Sequence, residues 1–313
     1  QSRTTANSTM PKLFQPKPSY RYGAGTGLPE KDPRSGQDAP TGVIFDYYLP
    51  EVTEKDTVTL SIYDKAGKLV RTYTNQKNPD FTPYPGGPAP ATPLNASKGI
   101  NRFLWDIRRE QLGPDIKGQF LTVPYRGAML PPGDYKAVLT AKGQRSEVTA
   151  KLLANPLIQG VTDADWNEQN TMLDKLTADV ADVHGSINSM RKAKAQLVQQ
   201  AENYKGVKDA DTLVNEANRI IQSIDEWESR VLQTRTKGGQ DMINYTSKLN
   251  SEFLSLYGYL DTPDPRVTAG AKERLADIER EWATEKAKLG PIKGSIAKYN
   301  ALVKARQVDA VQY

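Results

Sequence analysis

Among its 313 residues this chain has a single histidine, His184, and no cysteine. Without cysteine there is no disulfide, no thiolate-built zinc cluster and no thiol nucleophile. His184 stands between Val183 and Gly185. Alone, it could hold a metal only with carboxylates gathered around it, so a place at the surface or at a helix-seam edge is expected. The serines form no nucleophile elbow, and a triad would have only that one histidine to draw on. Acid pairs are more numerous: Asp163/Asp165, Asp179/Asp182, Asp225/Glu226/Glu228 and Glu279/Glu281. Glycosidase carboxylates must face each other across a cleft at roughly 5–10 Å. These pairs lie in segments of helical period, and solvated helix faces are expected for them. Tyr22-Gly23-Ala24-Gly25-Thr26-Gly27 is glycine-rich. It has no strand before it, no helix after it and no Lys-Ser/Thr pair, so linker flexibility accounts for it better than phosphate binding. Asp46, Asp64 and Asp106 sit at strand ends, where turn and cap roles outweigh calcium binding. The expectation is a chain without catalytic residue, metal site or cofactor.

Aromatic residues are the remaining candidates. Tyr47, Tyr48, Tyr73, Phe81, Tyr84, Phe103, Trp105, Phe120, Tyr125 and Tyr135 concentrate in the first half, and core packing explains most of them. Phe81 and Tyr84 differ, because Asn78-Pro79-Asp80-Phe81-Thr82-Pro83-Tyr84-Pro85 cannot be a core strand. They are expected to be exposed or docked on a partner. With Tyr20 and Tyr22, which punctuate a proline-rich arm, they form the candidate set for partner or ligand contact. Aromatic platforms bind sugars or proline-rich peptides.

Net charge is +5, from 42 basic and 37 acidic residues. That balance makes no strong field, and no Lys/Arg block carries interleaved aromatics, so nucleic acid is not an expected partner. No apolar run reaches the roughly 18–20 residues of a membrane-spanning helix. The chain opens Gln1-Ser2-Arg3, as expected of a processed product or a segment of a longer polypeptide.

The elements follow from spacing. Residues 1–40, with six prolines and Gly23, Gly25, Gly27 and Gly36, read as an extended arm or linker in which no regular element should persist. Residues 41–156 carry strand signals. Val43 to Leu49 is β-branched and aromatic, and Val58, Leu60 and Ile62 alternate with period two. Asp64-Lys65-Ala66-Gly67 turns the chain into Leu69 to Tyr73, a hairpin. Residues 74–98 are a long loop, Ile100 to Ile107 is a strand, and two more strands lie at Tyr135–Thr140 and Glu147–Leu152. Short antiparallel strands at this spacing predict a β-sandwich.

From residue 157 to 313 the period becomes helical. Thr162-Asp163-Ala164-Asp165 is a helix start, and Leu173, Leu176, Val180, Val183, Ile187, Met190 and Leu197 make a seam up to Gly206. A second helix begins near Asp209 and is broken by Lys237-Gly238-Gly239. A third carries Met242 to Leu260, and the last, from Leu275 to Val303, is kinked by Gly290-Pro291. Short loops then close an antiparallel four-helix bundle, and the fold class is α+β with separate all-β and all-α parts.

Two resemblances add to this reading. Thr59–Arg71, Gly99–Asp106 and Pro131-Pro132-Gly133-Asp134-Tyr135 together resemble the immunoglobulin-like domain of the flagellar hook-cap protein and its relatives. Over nearly the whole chain, Pro18-Ser19-Tyr20-Arg21, the segment Ala39–Leu49 and Asn155-Pro156 to Gln169 are similar to the C-terminal region of bacterial secreted proteins whose N-terminal part is a sortilin-like, BNR-repeat β-propeller, often labelled glycosyl hydrolase. That resemblance implies an extracytoplasmic location and a non-catalytic accessory role, docking on a propeller domain or chain, or on other cell-envelope proteins. One alternative is a part of a glycan-acting hydrolase whose active site lies in the absent propeller. Another is a stand-alone envelope interaction module.

Overall fold

The computed structural model describes residues 9–22, 40–53, 55–121 and 126–305. The chain is a mixed α+β protein, with eight strands followed by five α-helices among those residues. Strands β1 (Lys12–Leu13), β3 (Val43–Leu49) and β6 (Gly99–Trp105) form a three-stranded sheet in the order β1-β3-β6. The other sheet contains β2 (Ser19–Tyr20), β4 (Val58–Tyr63), β5 (Leu69–Thr74), β7 (Gly133–Ala141) and β8 (Gln144–Leu153), ordered β2-β8-β7-β4-β5. Every pairing is antiparallel except β2 with β8.

Period-two alternation produces the core. Val43, Phe45, Tyr47 and Leu49 of β3 and Leu60 and Ile62 of β4 point inward and are fully buried. Trp105 joins the two sheets: it stacks on Phe45 at 6.2 Å and meets the edge of Tyr135 of β7 at 5.5 Å. The β4–β5 hairpin turns as its sequence predicts. Asp64 Oδ1 accepts from the N–H groups of Ala66 and Lys68, each at 2.9 Å, and Gly67 adopts φ +81°.

Two expectations about this half need correcting. The arm does carry regular structure: β1 pairs with β3 and β2 with β8, so residues 12–20 bridge the two sheets. Prolines between the two short pairings do not forbid them, because each strand uses only two residues. Strand β6 also stops at Trp105 rather than Ile107. Ile107 is fully buried with φ +53°, a conformation a β-branched residue tolerates only when its surroundings impose it. Its carbonyl accepts from Leu130 N–H at 2.8 Å, and the chain is thereby turned away from the sheet.

Helix α1 (Asp163–Tyr204) has 42 residues. Thr162 caps it in a reciprocal box: its Oγ1 accepts from Asp165 N–H at 3.3 Å, and Asp165 Oδ2 accepts from Thr162 N–H at 2.7 Å. Helices α2 (Asp211–Val231) and α3 (Leu249–Leu260) return along it. Helix α4 (Ala269–Ala287) packs on α3, and α5 (Leu289–Ala305) packs on α2. Among the described residues the helices therefore number five, with the last expected rod divided at Lys288, just before Gly290-Pro291. Met242 lies outside α3. It belongs to a 3-10 turn, Gly239–Ile243, and is 51% exposed. Helix α2 ends at Val231, before the glycine pair expected to break it.

Two apolar clusters form, one between the sheets and one among the helices. Leu112, Ile116, Leu121 and Ala128, from the long connection after β6, are buried in the helical cluster.

Candidate functional site

The connection from Asp106 to Leu121 is an extended strap lying along α1. A side chain at Gly113 would collide with Ala181, since a Cβ there would sit 2.9 Å from the alanine Cβ. Pro114 carbonyl pairs with His184 Nδ1 at 2.7 Å, and Asp115 carbonyl accepts from Asn188 Nδ2 at 2.8 Å. Arg191 donates to Lys117 carbonyl at 3.3 Å and to Gln119 Oε1 at 3.4 Å. Residues 181, 184, 188 and 191 are one helical face, so the strap follows a single stripe of α1.

His184 is therefore misplaced by the expectation of a surface or seam-edge position. It is fully buried, and its Nε2 takes a hydrogen bond from Asn250 Nδ2 of α3 at 2.9 Å. Nδ1 then carries the proton toward Pro114, and the ring is neutral. Burial depresses its pKa, against the opposing pull of the Pro114 hydrogen bond and of Asp115. Not every acid pair is solvated either. Glu228 is 6% exposed and bonded to Arg191 at 2.6 Å. Asp179 faces Glu279 of α4, and burial together with that carboxylate pushes its pKa up to about 6.

The arm supplies a second junction. Arg21 is fully buried between two exposed neighbours. Its Nε donates to Leu130 carbonyl at 2.9 Å, and Nη1 donates to the carbonyls of Thr262 at 2.8 Å and Pro263 at 3.0 Å. Nη2 reaches Gln169 Oε1 at 3.3 Å, and the guanidinium stacks 4.8 Å from the Trp166 ring. Burial lowers its pKa to about 10, so it remains charged at neutral pH. Close by, Arg108 donates to Asp261 at 2.6 Å. Composition and periodicity did not single out these polar residues. The resemblance touched two of them, Arg21 in Pro18-Ser19-Tyr20-Arg21 and Gln169 at the end of the segment from Asn155-Pro156.

The four aromatic candidates fall into two pairs, one at β2 and one in the loop after β5, the two edge strands of the five-stranded sheet. Tyr20 and Tyr22 are 41% and 36% exposed, with ring centroids 5.8 Å apart. Phe81 and Tyr84 lie in the loop after β5 and are half-buried. Tyr84 is docked within the chain rather than presented to a partner: its hydroxyl donates to Ile116 carbonyl at 3.1 Å and to Asp115 Oδ2 at 3.2 Å. Its ring also covers Gly87, where a Cβ would meet it at 2.6 Å. Between this loop and the strap runs an open cleft of about 650 Å³. Phe81, Tyr84 and Asp80 line one side, and Gln111, Asp115 and Lys117 the other. No group of three or more histidine, cysteine, aspartate or glutamate side chains is arranged to hold a metal ion among the described residues. No described helix is long and apolar enough to cross a membrane.

No family model, curated protein or solved structure matches this chain.

Proposed function

We propose that this chain is a non-catalytic accessory module of an extracytoplasmic protein. In this reading an immunoglobulin-like sandwich and an antiparallel helical bundle dock together on a β-propeller of the same parent protein or on a cell-surface partner. The observation that carries the reading is how the buried polar side chains are used. Arg21, Arg108, His184 and Glu228 all bond across the boundary between elements and join arm, strap and helices. Side chains used in this way support a scaffold role. The exposed Tyr20–Tyr22 pair flanks the Arg21 anchor, so a partner meeting those rings would meet a surface already held in place, at small entropic cost. The pairing of two sheets over one core, with Trp105 between them, supports the immunoglobulin-like part.

Native mass spectrometry of the protein isolated from its source tests this. A propeller-sized partner or precursor is expected, and Tyr20→Ala with Tyr22→Ala should release it while leaving thermal stability unchanged. A self-contained monomer in the native sample would refute the docking role. Turnover of any polysaccharide by the isolated chain would refute the non-catalytic part.

A further inference from the structure

We infer that the cleft between the loop after β5 and the strap is a binding site for a short neutral oligosaccharide. Its volume of about 650 Å³ falls in the range of small-molecule sites, roughly 300–1,000 Å³. Phe81 is fixed in its wall: Phe81 N–H bonds to Asn78 carbonyl at 3.3 Å and Asp80 N–H to Asn78 Oδ1 at 3.0 Å. Pro79 and Pro83 stiffen both flanks. The result is a half-exposed ring of the kind on which the apolar C–H face of a pyranose packs.

Around that ring the polar groups decide between ligand classes. Tyr84 spends its hydroxyl proton on Asp115 and Ile116. A polyproline spine presents carbonyl acceptors and no N–H, so it would leave the Asp80 carboxylate on the wall without a donor. Asp80, Gln111 and Lys117 are exposed on the two walls, and between them they accept and donate, as a ring of hydroxyls requires. A cationic ligand would call for a cage of several open aromatic faces. Here the Tyr84 ring is packed on Gly87, so it is not an open face for such a cage. The strap forming the far wall is held from behind by His184 and Asn188, so the cleft is preformed. The site does not depend on the docking role proposed above.

Calorimetric titration of the full chain with cellotetraose, mannotetraose, maltotetraose and chitotetraose, and with poly-L-proline in parallel, tests the assignment. At least one tetrasaccharide should bind. Phe81→Ala should weaken that binding at least about tenfold with the thermal midpoint unchanged, and Gln111→Ala, on the opposite wall, should weaken it as well. Tyr20→Ala should leave it intact. The inference is overturned if no tetrasaccharide binds at millimolar concentration, if both Phe81→Ala and Gln111→Ala bind like the wild type, or if poly-L-proline is the only ligand taken.

Discussion

Arg108 and Asp261 form an ion pair at 2.6 Å that ties the strap to the C-terminal cap of α3, with side chains only 11% and 4% exposed. Asp261 also accepts from Met129 N–H at 2.8 Å, and Arg108 also donates to Gly127 carbonyl at 2.8 Å. Each charge therefore has more than one partner, which a buried pair needs to offset its desolvation. Arg108→Met should leave the carboxylate buried without its counterion and cost about 3–5 kcal/mol. A double-mutant cycle with Asp261→Asn, measured by urea unfolding, should return a coupling of about 1–3 kcal/mol. A coupling near zero would mean that the pair contributes geometry without stability.

Arg21 predicts how the arm is held. Its guanidinium serves four oxygen acceptors from three places in the chain. Arg21→Ala should destabilise the protein by about 3 kcal/mol, and cleavage within residues 9–22 should become rapid in limited proteolysis. Arg21→Lys should recover only part of the loss, because an ammonium retains the charge without the planar fork. Equal protection in Arg21→Ala and wild type would show that the β1 and β2 pairings hold the arm unaided.

His184 makes stability depend on acid. Its folded pKa lies below the unfolded value of about 6.5. The unfolded chain therefore takes up the proton first as pH falls. The stability contribution is complete above about pH 6.5 and is lost as pH drops toward the folded pKa. His184→Gln should be less stable than wild type at neutral pH but lose less between pH 6.5 and 5. Parallel pH profiles for the two proteins would show that the ring does not titrate on unfolding.

Asp179 contributes the opposite slope. Its folded pKa, about 6, lies above the ordinary aspartate value of 3.8, so the native state holds the proton longer. Its contribution is greatest below the unfolded value and declines as pH rises through about 6. Glu279 is bonded to Lys175 at 2.6 Å, and Asp182 accepts from Trp282 and Lys286, each at 2.7 Å. Asp179 is thus the carboxyl left without a cation of its own. Asp179→Asn should raise stability at pH 7 by about 1 kcal/mol, allowing for solvent screening at a half-exposed site. It should also flatten the decline between pH 4 and 7, and thermal melts across that range would show it. Destabilisation at pH 7 would mean that ionised Asp179 is held favourably by Lys175.

Local signals predicted local structure well. Alternation at Val58, Leu60 and Ile62 became β4, and Thr162 with Asp165 became the cap of α1, because each involves neighbours within a few residues. The candidate site was legible only in part. Phe81 and Tyr84 stood out by their proline-rich context, but the wall opposite them did not. Leu112, Ile116 and Leu121 follow neither a two-residue nor a 3.6-residue period, since an extended strap in a helical groove imposes neither. His184 looked peripheral for a related reason. The groups that make its burial tolerable, Pro114 and Asn250, lie 70 and 66 residues away, beyond the reach of any pattern read along the chain.

That same strap bears on the order in which the molecule assembles. Its bonds to α1 close loops of 70, 73 and 74 residues, whereas the hairpins and single helix turns close within a few. Loop-closure entropy makes such distant contacts late. The helices can form early, but their apolar stripe stays open until Leu112, Ile116 and Leu121 arrive from the sheet side. Synthesis delivers those residues first, so on the ribosome the strap waits, uncovered, for α1 to emerge.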